Sequence, residues 1–172
     1  MEDQRTDALR ALAHPLRLRI LSLLTGTAMS AAEVARELEV THANASYHLR
    51  RLADAGELVV DGEERIRGGV AKRYRYPHED ESARRHGSGG DEDRLGYLRA
   101  TSVELERRVL QREGPMVSTD LEGWVDPQAW ERARALLHEA SMLLHDANRR
   151  PGTEGTVHVS FTAWAFGMQG RS

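Results

Sequence analysis

The 172-residue chain contains no cysteine, which excludes disulfides, thiolate metal sites and cysteine nucleophiles. Lysine occurs once, at Lys72, so almost all of the positive charge is arginine. No apolar run approaches the length of a membrane span. The start, MEDQRTDALR, is acidic and has no apolar core, so no secretory signal is expected and the cytoplasm is the default compartment. Nor does the sequence offer a carboxylate pair, a nucleophile elbow, a phosphate-cradling glycine loop or a specific metal-ligand spacing. An enzymatic reading therefore has no catalytic constellation to rest on, and no cofactor is expected.

What is present is a charge asymmetry. The net charge is −3, but residues 1–77 hold 12 basic against 11 acidic side chains, and the remaining 95 residues hold 12 against 16. Within Thr41 to Tyr76 the count is 7 basic to 5 acidic, with two histidines besides. That bias suits a local basic footprint better than a coat that binds any polyanion.

Asp7 to Ala13 predicts a short helix, interrupted by His14-Pro15, with Pro15 suited to the first position of a second helix. Leu16, Leu18, Ile20, Leu21, Leu23 and Leu24 make that second helix apolar on most sides, so it should sit centrally and stop near Gly26. Ser30-Ala31-Ala32-Glu33 is a capping box. It opens a helix to Leu38 that buries Ala31, Val34, Ala35 and Leu38. After the turn Glu39-Val40-Thr41, a further helix spans Thr41 to Gly56, with Thr41 as N-cap to the Asn44 N–H and Gly56 as the left-handed stop. Two short helices so joined make a helix-turn-helix.

The second of these helices has two contrasting faces. Ala45, Leu49, Leu52 and Ala53 form an inward stripe, while His42, Asn44, Ser46, Tyr47, His48, Arg50 and Arg51 form a polar and cationic face. A helix that needed only solubility would more often carry Glu and Lys there. A helix entering a major groove needs small polar groups for base edges, and cations or hydroxyls for the phosphates. Beyond Gly56, Glu57 to Asp61 and Ala71 to Tyr76 read as two strands around a charged, Gly-rich tip at Gly62 to Val70. In isolation it would pass for a solvated hairpin. Directly after a helix-turn-helix it reads as a wing, with Arg65, Arg67, Lys72, Arg73 and Arg75 available to phosphates or the minor groove.

Residues 8–76 resemble the DNA-binding domain of the ArsR/SmtB family of bacterial winged-helix repressors. The resemblance is carried by Leu12-Ala13-His14-Pro15-Leu16-Arg17-Leu18-Arg19-Ile20-Leu21, by Ser30-Ala31-Ala32-Glu33-Val34-Ala35, by Thr41 and Ser46-Tyr47-His48-Leu49-Arg50-Arg51-Leu52, and by Ala55-Gly56-Glu57-Leu58-Val59. It covers about 40% of the chain. It implies a dimer that binds a palindromic operator through this helix and the wing. Metal-sensing members carry a cysteine pair in the first helix of the helix-turn-helix. Here that segment is Ala31-Ala32-Glu33-Val34-Ala35-Arg36, so that sensing site is not implied.

His78 to Asp93 is polar and without apolar periodicity, which reads as a flexible linker between residues 1–77 and a C-terminal region, 94–172. Arg94 to Glu113 follows with Leu95, Leu98, Ser102, Leu105 and Val109 at spacings of 3, 4, 3 and 4, the seam of a helix that packs on another helix. Gly114-Pro115 breaks it. Met116 to Leu121 predicts a strand, and Asp126-Pro127 starts a helix to about Asn148 that buries Trp130, Ala133, Leu137, Ala140, Leu143 and Leu144. Thr156 to Phe166 alternates as a second strand, with Val157, Val159, Phe161, Ala163 and Ala165 on one face, giving a small β-α-β unit. Two strands are too few to be stable alone, so this region should be completed by the 94–113 helix, a second subunit, or both. The arrangement also resembles the C-terminal part of longer actinobacterial regulators with this DNA-binding domain.

The expected fold is therefore α+β: an N-terminal winged helix-turn-helix, a long helix and a small β-α-β C-terminal region. The expected function is that of a dimeric regulator, a repressor, that binds double-stranded DNA at a palindromic site and no membrane. The alternative is a winged-helix protein–protein adaptor, favoured by Glu63, Glu64 and the overall acidity. His138, His145 and His158, with Glu139 or Asp146, have the chemistry for zinc or nickel, but surface histidines explain them better and no metal site is assigned. His78 and His86 fall in the linker, where chance explains them. Trp124, Trp130, Trp164, Phe161 and Phe166 are core aromatics or, alternatively, the lining of a pocket for a small-molecule effector.

Overall fold

A computed structural model describes residues 9–66, 69–77 and 90–169. His14 is the N-cap of the first long helix, α1 (Pro15–Leu24): its Nδ1 accepts from the Leu16 N–H at 3.2 Å, and Pro15 fills the first position where no N–H is needed. Residues 9–12 are helical just before it, within the segment expected from Asp7 to Ala13; positions 7 and 8 lie outside the described residues. Leu18, Ile20, Leu21 and Leu24 of α1 are all buried. The predicted capping box is formed. Glu33 Oε2 accepts from the Ser30 N–H at 2.8 Å, and Ser30 Oγ accepts from the Glu33 N–H at 3.4 Å, opening α2 (Ala31–Glu37).

The turn to α3 (His42–Asp54) is a Schellman turn. The Val40 N–H reaches back to the Ala35 carbonyl at 3.0 Å, and the left-handed position falls on Glu39 at φ 55°. The same motif closes α3: the Glu57 N–H donates to Leu52 O at 2.9 Å, with Gly56 at φ 77°. Gly56 takes this conformation without penalty, whereas Glu39 crowds its Cβ against backbone. Between the two turns, the inner stripe of α3 is buried at Ala45, Leu49 and Leu52. Each buried leucine contributes about 1.5–3 kcal/mol relative to exposure.

A hairpin follows α3. Strand β2 (Val59–Ile66) pairs antiparallel with β3 (Gly69–Arg75), with a bulge between Val60 and Gly62, and β3 also pairs with the two-residue β1 (Met29–Ser30) through Met29↔Tyr74 and Ser30↔Arg73. The sheet order is β1-β3-β2. The strands run farther into the tip than expected, because residues 62–66 and Gly69-Val70 join the ladder; backbone pairing is indifferent to exposed side chains that read as a tip. Residues 67 and 68, Arg67 included, lie outside the described residues, as do positions 78–89 of the expected linker.

The long helix α4 (Asp91–Leu110) begins three residues before the expected Arg94, with Asp91, Glu92 and Asp93 in its first turn, where acidic groups suit the helix dipole. Its packed face is not the predicted seam. Ala100 and Glu104 are the buried residues, and the face they lie on leans against α1. There Gly96 approaches Ala13 so closely that a Cβ would meet the Ala13 Cβ at 3.4 Å. Arg10 Nε binds Asp93 at 3.0 Å, and Arg108 Nη2 donates to Ser22 Oγ at 3.4 Å. The seam residues Leu95, Leu98 and Leu105 face away and are 49%, 42% and 41% exposed.

The C-terminal region corrects the β-α-β expectation. Among the described residues only its helix forms, α5 (Pro127–Ala147), capped by Asp126 Oδ1 accepting from the Ala129 N–H at 2.9 Å. Residues 116–121 and 156–166 carry no strand. None of the α5 residues is buried: of the expected stripe from Trp130 to Leu144, Trp130 and Ala140 are half-buried and the rest are exposed among the described residues. Alternation dictates which side chains share a face. A strand further needs a neighbour for its N–H and C=O groups, and neither segment has one among the described residues. Among the described residues the structure combines helices with one three-stranded antiparallel sheet, an α+β arrangement with the helix-turn-helix at its N-terminal end.

Glu39→Gly should raise stability by about 0.5–1 kcal/mol, because glycine relieves the left-handed strain at the turn. Thermal unfolding of the two proteins measures this directly, and a lower melting temperature for the variant would mean that the Glu39 side chain contributes more than the strain it carries.

Candidate nucleic-acid interface

Helix α3 is positioned by burial on one side and capping at both ends, and that leaves its other side to solvent. The Thr41 hydroxyl accepts from the Asn44 N–H at 3.2 Å, as its spacing predicts. Thr41, His42, Asn44, Tyr47, Arg50 and Arg51 are exposed, and Ser46 is half-buried. Six of the eight helix-turn-helix residues singled out in the sequence thus stand open together on one face, with Ser46 at its border.

His48 is the exception. It lies 6% exposed beneath the helix, its ring 4.6 Å from the ring of His14 and 5.1 Å from that of Tyr47. At three residues past Ala45 and one before Leu49 it belongs to the inner stripe by helical geometry; its polarity suggested the outer face, and the packing position prevailed. Its Nδ1 is buried without a hydrogen-bond partner among the described residues. Burial first, then the charges of His14 and Arg17, holds the His48 imidazole below the ordinary histidine range, and burial followed by Arg17 does the same for His14.

Arg17 is a candidate the sequence reading passed over. It projects from α1 toward α3, donates to Arg10 O at 3.3 Å, and is lowered in proton affinity first by burial and then by the like charge of Arg51, with Tyr47 acting in the opposite sense. It remains a cation at any physiological pH. Its place beside α3 comes from the packing of the first turn of α1 beneath that helix, which local spacing does not reveal.

The hairpin cations divide into two groups. Opposed pairs Glu63↔Lys72 and Arg65↔Val70 put Arg65 and Lys72 on one face of the ribbon, while Glu64↔Ala71 and the neighbouring Arg73 occupy the other. Arg65 and Lys72 are exposed, and neither takes an ion pair among the described residues. Arg73 is instead held inward. Its Nη1 lies 3.0 Å from Glu33 Oε2 and 3.1 Å from Glu64 Oε2, and its Nη2 donates to Ala28 O. Arg75 pairs with Asp61 at 3.3 Å. Arg73 therefore reads as a fastener between hairpin and α2, not as a free phosphate contact.

Glu33 closes that fastening. Burial alone would raise its carboxyl, but hydrogen bonds from the Ser30 N–H and hydroxyl, the Arg73 charge and a hydrogen bond from Arg150 outweigh it and hold the group below the usual carboxylate range. Arg150 Nη2 reaches Glu33 Oε1 at 3.0 Å from just beyond α5. Of the histidines weighed as metal ligands, His145 lies with its Nδ1 2.7 Å from Ser141 O and its ring 6.5 Å from that of Tyr76. No group of three or more His, Asp or Glu side chains that could hold a metal occurs among the described residues, and none of their helices is long and apolar enough to cross a membrane.

A family model of a helix-turn-helix domain matches residues 12–60, a stretch that contains α1, α2, α3 and the start of β2. No curated protein matches the chain. The N-terminal part is thus a helix-turn-helix domain, the class of module with which regulators bind DNA.

Acidification should loosen the joint between α1 and α3. Both rings are depressed in the folded state, so the neutral forms are favoured there. Their contribution is intact above the ordinary histidine value near 6.5 and is lost as pH falls below it toward the folded values. The melting temperature should drop between about pH 7.5 and 5, and drop less in His14→Asn, which keeps a capping acceptor and removes one ring. Equal drops in both proteins would clear the histidine pair of responsibility.

Proposed function

We propose that this protein is a sequence-specific DNA-binding transcriptional regulator, not an enzyme: a cytoplasmic, dimeric repressor of the ArsR/SmtB kind that binds a palindromic operator. The observation that carries the reading is the exposed face of α3, where a capped N-terminus presents His42, Asn44 and Tyr47 beside the cations Arg50 and Arg51. Arg17, Arg50, Arg51, Arg65 and Lys72 supply affinity through phosphates, which makes binding steeply salt-dependent. His42, Asn44 and Tyr47 read base edges, and Thr41 and Ser46 bind phosphate. His48 and Arg73 act indirectly, by holding α3 and the hairpin in place. A small-molecule effector acting through residues 94–169 would work by altering the spacing of the two recognition helices.

The test is selection of genomic fragments by the purified protein near physiological salt, read by sequencing. The reading expects a palindromic motif with half-sites about one helical turn apart; no enrichment, with or without cell extract, favours the adaptor. On the selected site, Asn44→Ala should cost about 1–3 kcal/mol and flatten discrimination at one position. Lys72→Ala should weaken selected and random DNA alike and lower the salt slope by about one. Equal loss on both DNAs for Asn44→Ala would remove it from the base-reading set.

A further inference from the structure

The end of α5 is seated on the N-terminal domain at three places. The backbone of Asn148 and Arg149 passes so near Gly26, in the turn between α1 and β1, that a Cβ on Gly26 would lie 3.0 Å from Arg149 N, Arg149 O and Asn148 C. The Gly26 backbone is not left-handed, so the missing side chain serves this close approach and not the turn. Arg150 Nη2 lies 3.0 Å from Glu33 Oε1 at the start of α2. His145, in the last turn of α5, holds its ring 6.5 Å from that of Tyr76, the residue just after β3. Arg149 Nη1 donates to Asp146 O and Asn148 O, both at 2.8 Å, which keeps the chain turned as α5 ends.

Arg73 of the hairpin holds the same pieces from the other side. Its Nη1 pairs with Glu33 Oε2 at 3.0 Å, and its Nη2 donates to Ala28 O, in the turn that carries Gly26. The turn at 26–28 and the Glu33 carboxylate thus each stand between the hairpin and the segment 148–150. Tyr76 adds a third tie, because its N–H donates to Leu24 O at 3.2 Å while its ring meets His145. A shift at the end of α5 therefore reaches the hairpin through groups that both of them touch. The two contacts made by 148–150 differ in kind. Arg150 is half exposed, and such a pair contributes little by itself. The backbone approach at Gly26 fixes position, and Arg150 fixes orientation.

We propose that the turn after α5 is a clamp that sets the hairpin against α2, and with it the placing of Arg65 and Lys72 relative to α3, so that the C-terminal region controls DNA affinity from outside the DNA-contacting surface. Arg150 is a positioning residue that acts through Glu33. The inference rests on the DNA-binding reading above and names the route by which residues 127–150 act on it. By reciprocity, DNA that fixes the hairpin tightens the clamp.

The first measurement uses the full chain without DNA. Gly26→Ala and Arg150→Ala should each raise hydrogen–deuterium exchange of the amides paired across the sheet about threefold or more, and leave the buried stripe of α3 unchanged. Both should also speed trypsin cleavage after Arg149, while Arg150 is followed by Pro151 and resists. Faster cleavage with unaltered exchange in the sheet would overturn the clamp. On a genomic fragment selected as above, both variants should bind about threefold to tenfold more weakly with the wild-type salt slope. The double variant should bind no more weakly than the weaker single one, and Arg150→Lys should keep most of the affinity. Bound DNA should slow cleavage after Arg149 in the wild type and not in Gly26→Ala. A salt slope lowered by about one in Arg150→Ala would make that side chain a phosphate contact, and additive losses would make the two contacts independent; either result overturns the proposal. Circular dichroism and melting temperature identify a variant lost to misfolding, and the other then carries the test. Coupled exchange in a chain that selects no DNA sinks the regulator reading alone; unaltered affinity of both variants for a selected fragment sinks the clamp alone.

Discussion

The Glu33 carboxylate is the atom pair to which the other parts of the N-terminal domain are referred. One oxygen accepts from the Ser30 N–H, the Ser30 hydroxyl and Arg73, and the other accepts from Arg150. Hydrogen bonds to charged groups contribute about 1.5–3 kcal/mol each where solvent is largely excluded. The Ser30 and Arg73 contacts meet that condition better than Arg150, whose side chain is half exposed and whose contribution is correspondingly small. Through Ser30 the carboxylate starts α2. Through Arg73 it fixes β3, and with β3 the hairpin, to the same helix end. Helix α3 is placed by α2 through the turn at Glu39, so the spacing between α3 and the hairpin cations depends on this group.

The division of labour on α3 follows from geometry more than from residue chemistry. Seven polar side chains crowd into its first three turns, and a helix has room to expose only some of them when Ala45, Leu49 and Leu52 must be buried. His48 falls on the buried side. It is accommodated because His14, already oriented by capping α1, offers it a ring to pack on. The cost is an Nδ1 without a partner among the described residues and two imidazoles whose proton affinity is lowered, first by burial and then by the neighbouring charges.

How much of this was legible in the sequence depends on the range of the interaction involved. The capping box at Ser30, the Thr41 cap, the stop at Gly56 and the inner stripe of α3 are all contacts within five residues, and each was readable from residue type and spacing. The fastening of Arg73 to Glu33 spans 40 residues, and nothing local distinguishes Arg73 from Lys72 beside it, which takes no ion pair among the described residues. The alternation from Thr156 to Phe166 was real as a pattern and misleading as a strand. It specifies a two-faced segment but carries no record of what would pair with its backbone. The seam of α4 shows the same limit from the other side: the leucine pattern lies open, and the helix meets α1 through Gly96, Ala100 and Glu104, residues too small or too polar to announce a packed face.

Glu104 explains why that unlikely face prevails. A carboxylate buried against α1 would be costly alone, but Arg107 lies 2.9 Å from it, and Arg108, 3.9 Å away, also donates to Ser22 Oγ on α1. The charged cluster is thereby satisfied within the α1–α4 contact, and small residues at Gly96 and Ala100 let the two helices approach. Had the leucine seam been turned inward instead, Glu104 and its arginines would face solvent, where such pairs contribute little, and the larger side chains would hold α4 off α1. The polar face packs at home because its charges find partners there, and that leaves the apolar seam, which needs no specific partner atom, free to meet another surface.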